Sequence, residues 1–188
     1  GDTGYGAYGD SGLQVIDVSN PTRPIAIGFY DAVGEASDVY NVYRGVVSNV
    51  YVHNHIAYLT SWDGLRIVDI SDPTSPTDIG FYQTTKWGAY DVWGDGDVVY
   101  VFVKFWGLHV LDVSDPTHPV AIGWGQTIGL KSNNFYLKDD NVYIADDQGG
   151  LVIVRYSGIK PAPDAVALPD ADYVHVSVTP TPTPTPTP

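Results

Sequence analysis

The chain has 188 residues and a net charge of −13 at pH 7, from nine Lys and Arg against 22 Asp and Glu. This charge disfavours nucleic acids and anionic membranes as partners, because the basic residues are few and form no basic stripe. No apolar run approaches the roughly 18 residues of a membrane-spanning helix. The chain lacks cysteine, but its length allows a core that is stable without disulfides or metals.

Short predicted strands follow one another along the chain. The first three lie at residues 3–8, 13–18 and 25–30. Later groups of three are each preceded by one further strand, in SNVYVH, AYDVWG and NNFYLK. No stretch has helical periodicity, and the abundant Gly, Pro, Val, Ile and Tyr favour strands joined by tight turns.

One string of residues recurs at the middle strand of each group of three. It reads GLQVIDVSNPTRP from Gly12, GLRIVDISDPTSP from Gly64 and GLHVLDVSDPTHP from Gly107, with a degenerate copy, GLVIVRYSGIKPAP, from Gly150. The Asn-Pro or Asp-Pro pair specifies a turn after the strand. We expect the repeated carboxylates of Asp17, Asp69 and Asp112 to accept hydrogen bonds that lock this turn. Four short strands in a period of about 43 residues predict an all-β fold, a β-propeller of four-stranded blades.

These strings resemble the LVIVD repeat of bacterial and archaeal surface or secreted proteins. The resemblance covers about residues 4–160 and implies a β-propeller with an extracellular or cell-surface location. The fourth copy departs from the pattern, because Arg155 stands where the other copies have Asp. We therefore expect it to form a terminal blade. The repeat defines an architecture and implies little about activity.

The first blade lacks a first strand in the sequence preceding residue 3. First strands of the other blades begin with Asn or Asp followed by apolar residues, and DADYVHVSVT near the C-terminus has the same pattern. We predict that Tyr173, Val174, Val176 and Val178 supply the missing strand. Residues 1–178 would then form four blades closed by pairing of the N- and C-terminal strands. Two alternatives remain: the strand pairs with a neighbouring copy, giving dimers or a filament, or the chain is part of a longer propeller.

The last ten residues belong to a different physical class. Residues 179–188 alternate Thr and Pro, which predicts an extended linker or stalk without a core. Its hydroxyl groups suit O-glycosylation, because each is held out in solvent. The predicted acceptors are Thr179, Thr181, Thr183, Thr185 and Thr187.

The sequence contains no recognisable catalytic motif, so we expect no enzyme activity, no cofactor and no metal site. His53 and His55 lie two apart in a predicted strand and would face one side, as two metal ligands can. No third ligand is marked in the sequence. Surface or packing roles for these histidines are the simpler interpretation.

Aromatic residues are predicted to share one face of the propeller, where turns and connections between blades emerge. They are Trp62, Trp87, Trp106, Tyr40 and Tyr43. Such rings suit sugar rings or a neighbouring subunit, although the tryptophans could instead pack between blades. We therefore expect a structural or assembly module tethered by the Thr-Pro stalk, with another copy or a surface polysaccharide as partner. A carbohydrate- or protein-binding adhesion module is the alternative, and a propeller glycosidase is the third candidate.

Overall fold

The described strands form four antiparallel sheets in chain order. The structure, a computed structural model, describes residues 2–32, 46–84, 88–104, 106–125, 132–138, 141–146, 150–155 and 178–180. Sheet 1 contains β1 (Thr3–Ala7), β2 (Leu13–Asp17) and β3 (Ile25–Tyr30). Sheet 2 contains β4 (Val47–His53), β5 (Ile56–Ser61), β6 (Gly64–Asp69) and β7 (Thr77–Gln83).

Sheets 3 and 4 repeat this arrangement. Sheet 3 contains β8 (Ala89–Asp95), β9 (Val98–Val103), β10 (Gly107–Asp112) and β11 (Val120–Gly125). Sheet 4 contains β12 (Ser132–Lys138), β13 (Asn141–Asp146), β14 (Gly150–Arg155) and β15 (Val178–Pro180). The all-β prediction of repeated four-stranded blades is confirmed. Within the described ranges, no helix is long and apolar enough to cross a membrane.

The core lies between neighbouring sheets. Among the described residues it consists of three clusters, one for each junction between consecutive sheets. In sheets 2 and 3 the front face packs on the next sheet and the rear face packs on the preceding one, and the equivalent faces of sheets 1 and 4 take the same names. In sheet 2 the front face carries Tyr58, Leu65 and Ile67, and the rear face carries Leu59 and Val68. All five side chains are buried.

The repeated turn serves as a contact between sheets. The backbone N–H of Ser71 donates to Asp69 at 2.8 Å, and that of Thr74 donates to Asp72 at 2.9 Å. The same two turns occur after β2 and β10, so the predicted locking role of these carboxylates is confirmed. A Cβ on Gly28 of sheet 1 would overlap the carbonyl oxygen of Pro73. The turn of one sheet thus rests on a glycine of the preceding sheet, which explains why the string recurs.

The C-terminal strand departs from the predicted pairing. Val178 pairs with Val154 of β14 and Thr179 with Ile153, so Val178 lies at the outer edge of sheet 4 and the prediction that it pairs in sheet 1 is wrong. In sheets 1–3 the strand at the outer edge follows directly after the repeated turn. The fourth copy has lost that turn, and a later segment fills the edge of β14.

The other closure and stalk predictions fall largely outside the described residues. Tyr173, Val174 and Val176 lie there, as do Thr181, Thr183, Thr185 and Thr187. Sheet 1 has the strand order β1-β2-β3, and among the described strands β1 pairs with β2 alone. Closure of the ring stays a prediction.

Candidate functional surfaces

The front face of sheet 4 is a candidate docking surface, because its apolar residues are exposed. Leu65 and Leu108, at equivalent positions in sheets 2 and 3, are 0% and 1% exposed, whereas Leu151 of β14 is 57% exposed. Tyr143 and Ile153, which pair across β13 and β14, are partly exposed. The same pair in sheet 2, Tyr58 and Ile67, is buried. Sheet 4 thus presents the apolar surface that sheets 1–3 cover with their successor.

The rear face of sheet 1 is the matching surface at the other end of the chain. Ile16 and Val18 occupy the positions of the buried Val68 and Ile70 and are partly exposed. Gly6 stands where sheet 2 has the buried Leu59, and a Cβ added at Gly6 meets nothing within 4 Å. Among the described residues, no core cluster covers this face.

The innermost strands of sheets 2, 3 and 4 carry a row of aromatic rings. The ring centroids of Tyr51 and Trp93 are 5.7 Å apart, and those of Trp93 and Tyr136 are 6.2 Å apart. Trp93 and Tyr136 are about half exposed. A Cβ on Gly94 would overlap Cε1 of Tyr51, so this glycine leaves the space in which the Tyr51 ring lies.

The sequence carries a signal for this aromatic row. Each ring lies two residues after an Asn or Asp at the third position of the first strand of its sheet: Asn49, Asp91 and Asn134. One ring per repeat at a fixed position predicts that the rings become neighbours when the blades stack.

The predicted aromatic face is divided among different surroundings. Trp62 meets Tyr90 edge to face at a centroid distance of 6.4 Å, and Lys104 Nζ lies 4.9 Å from the centre of the Tyr90 ring. Trp106 is 44% exposed and lines a separate pocket. Trp87, Tyr40 and Tyr43 lie outside the described residues, so a shared face stays a prediction for them.

The pocket beside Trp106 lies between sheets 2 and 3 and has a volume of about 200 Å³. Its walls are formed by seven residues: Tyr82, Gln83, Trp106, His109, Ala121, Gly123 and Trp124. The Tyr82 hydroxyl and His109 Nδ1 are 3.1 Å apart and hydrogen-bonded. Burial lowers the pKa of His109 to about 4, so its imidazole is neutral at pH 7.

The two histidines lie in different parts of the β4–β5 hairpin. Asn54 and His55 both have positive φ and form the tight turn between β4 and β5, so His55 does not share a strand face with His53. His53 stacks on Tyr51, with ring centroids 6.4 Å apart. Over the described ranges, no three His, Cys, Asp or Glu side chains are grouped closely enough to hold a metal ion.

Comparison with known proteins identifies the repeat. The family model of the LVIVD repeat matches residues 1–32, 44–84, 88–127 and 131–157. The chain belongs to the LVIVD repeat family. The four matched segments correspond to the four sheets of this LVIVD repeat protein, as the resemblance in the sequence predicted.

Solved structures add information on the fold alone. The chain is similar to that in the crystal structure of the computationally designed Ika8 protein, with a TM-score of 0.58 and 10% sequence identity. The match covers 82% of this chain and 42% of that one, so the LVIVD chain corresponds to less than half of the larger structure. None of the curated proteins matches the sequence.

Proposed function

We propose that the protein is a non-catalytic structural module of the cell surface that assembles head to tail with further copies through its terminal sheets. The observation that carries this proposal is the exposure of two complementary faces, the front of sheet 4 and the rear of sheet 1. The same two kinds of face meet at each junction inside the chain. A second copy would therefore continue the stacking that the chain already uses.

The energetics favour covering these faces. Full burial of a leucine side chain contributes about 2 kcal/mol, and Leu151 is 57% exposed. Ile16, Val18, Tyr143 and Ile153 add further partly exposed apolar surface. Exposed apolar patches of this kind typically mark interaction sites.

The two faces differ from each other, so the contact between copies is heterologous. Heterologous contacts give a closed ring when the rotation between copies closes, and a filament when it does not. The edge of β1, which pairs with β2 alone among the described strands, offers a second point of attachment by strand addition.

The surface location is proposed from the family resemblance and from the Thr-Pro tail. A segment of alternating proline is a semi-rigid spacer and would hold the sheets away from a wall or anchor. Sugar on its threonines would keep it extended. The mass of native material, measured by mass spectrometry, should exceed the bare sequence mass of 20.4 kDa, and equality with that mass would remove the glycan from this proposal.

Sedimentation velocity tests assembly directly. We expect the protein to show a weight-average mass that rises with concentration, and Leu151→Asp to remain monomeric because a charge replaces the apolar contact. Phe81→Asp is a matched control, since Phe81 is 40% exposed on an internal sheet and should not alter the mass. A wild-type chain that stays monomeric at all concentrations would exclude assembly.

A carbohydrate-binding module is the second candidate. It is favoured by one observation, the pocket that brings Trp106 and Trp124 together.

A further inference from the structure

We infer that the pocket between sheets 2 and 3 binds one uncharged sugar residue. This inference goes beyond assembly and does not depend on it, because the pocket lies at an internal junction and shares no residue with the terminal faces. We call this site the sheet 2–3 pocket.

The size of the sheet 2–3 pocket limits its ligand. Its volume of about 200 Å³ is below the roughly 300–1,000 Å³ of pockets that hold drug-sized molecules. A single sugar ring is a ligand of suitable size, and the rest of a polysaccharide could continue into solvent. Trp106, at 44% exposure, stands where such a chain would leave the pocket.

The walls have the chemistry that a sugar ring requires. Trp106, Trp124 and Tyr82 supply flat apolar surfaces, on which the C–H face of a sugar can pack, as aromatic side chains do at many interfaces. The exposed Gln83 supplies an amide that both donates and accepts hydrogen bonds. Sugar hydroxyl groups need both kinds of partner.

The charge of the sheet 2–3 pocket favours a neutral ligand. None of its seven lining residues is Asp, Glu, Lys or Arg, and burial keeps His109 uncharged at pH 7 by lowering its pKa. A charged ligand would lose hydration there without gaining a counter-charge, which is costly. Anions are also disfavoured by the net charge of −13.

The equivalent position between sheets 1 and 2 is filled by charged side chains. Arg66, at the position of His109, forms ion pairs with Asp63 at 2.9 Å and with Asp78 at 3.7 Å. Its guanidinium lies 5.1 Å from the centre of the Phe81 ring, and Phe81 corresponds to Trp124 in register. The replacement of Arg66 and Asp78 by His109 and Ala121 in sheet 3 is what leaves the pocket open and neutral.

Nuclear magnetic resonance of the full ¹⁵N-labelled chain tests the inference. The probes are the methyl glycosides of glucose, galactose, mannose and N-acetylglucosamine, each at about 10 mM, which exceeds a Kd of about 1 mM tenfold. At least one probe should shift the indole N–H signals of Trp106 and Trp124 and leave that of Trp93 in place. No shift with any of the four, or shifts at Trp93 alone, would overturn the inference.

Variants separate binding from folding. Trp106→Ala changes an exposed turn residue and should weaken binding at least tenfold, whereas Phe81→Ala, its control at the neighbouring junction, should bind as the wild type does. The double variant His109→Arg with Ala121→Asp places the ion pair of sheet 2 in the pocket and should abolish binding while the fold persists. Retained binding in either pocket variant would contradict the proposal.

Two further outcomes are informative. Tighter binding of choline than of any sugar would show an aromatic box for cations and would overturn the inference. The sugar should also bind to Leu151→Asp, because that variant alters only the terminal face. Failure of assembly and failure of sugar binding are thus distinguishable.

Discussion

The amide of Asn49 donates a hydrogen bond to the carboxylate of Asp91 and joins the innermost strands of sheets 2 and 3. Asp91 also accepts from the backbone N–H of Val92 at 2.9 Å and from that of Phe135, in sheet 4, at 3.1 Å. One carboxylate therefore connects three sheets. Its burial raises the pKa of Asp91, although the hydrogen bonds act in the opposite direction.

Replacement of Asp91 by Ala should destabilise the fold by about 2–4 kcal/mol, because the buried N–H of Phe135 and the partly buried amide of Asn49 lose their acceptor. Urea unfolding followed by tryptophan fluorescence measures the loss. Asp95→Ala, an exposed carboxylate on the same strand, is the control and should change stability by no more than about 0.5 kcal/mol. Equal effects of the two variants would exclude the bridging role of Asp91.

Glycine is required at the start of the repeated string. Gly64 has φ 151°, and an added Cβ would overlap the carbonyl oxygen of Tyr82, so Gly64→Ala should cost at least about 2 kcal/mol. Gly96 has φ 58° with nothing within 4 Å of an added Cβ. Gly96→Ala should therefore cost only the left-handed backbone strain of about 1 kcal/mol. Thermal unfolding of both variants measures the difference. A lower melting temperature for Gly96→Ala than for Gly64→Ala would contradict the requirement for glycine at position 64.

The pH dependence of stability should report His109. Its pKa in the folded state is about 4, below the ordinary 6.5, so the unfolded chain binds the proton first as pH falls. The stabilising contribution of the neutral ring is present above pH 6.5 and is lost between pH 6.5 and 4, and it amounts to about 3 kcal/mol.

The comparison variant for this prediction is His109→Gln, which cannot titrate. Between pH 7 and pH 4.5, the free energy of unfolding should fall more steeply for the wild type than for the variant. The carboxylates titrate in both proteins and cancel in the difference. Parallel profiles would show that His109 is not held neutral in the folded chain.

The repeated elements could be predicted from the sequence because each copy has the same types of residue at the same positions of its strand and turn. The closely spaced apolar residues after Gly64, and the Asp-Pro turn that follows, specified a strand and its end without reference to the rest of the chain. The locking role of Asp69 was predictable for the same reason, since its partner Ser71 is two residues away.

Features that depend on how sheets meet were not predictable from one strand. Val178 was assigned to sheet 1 by its alternating pattern, but an alternating pattern fits either free edge, and pairing with Val154 uses the edge left by the degenerate fourth copy. The sheet 2–3 pocket was missed because Tyr82 and His109 come from different repeats. The signal in the sequence was the replacement of Arg66 and Asp78 by His109 and Ala121 at the same repeat positions.

The central claim is that the front of sheet 4 docks on the rear of sheet 1 of another copy. Leu151→Asp removes the front face, and Gly6→Glu fills the open space on the rear face. Each variant alone should be monomeric in sedimentation velocity, because its chains have only one type of face left.

An equimolar mixture of the two variants is the decisive measurement, since the intact rear face of Leu151→Asp can still accept the intact front face of Gly6→Glu. We predict a heterodimer whose mass is about twice the chain mass of 20.4 kDa. No larger species should form, because each partner has only one intact face. A mixture that remains monomeric, or single variants that assemble as the wild type does, would contradict head-to-tail docking.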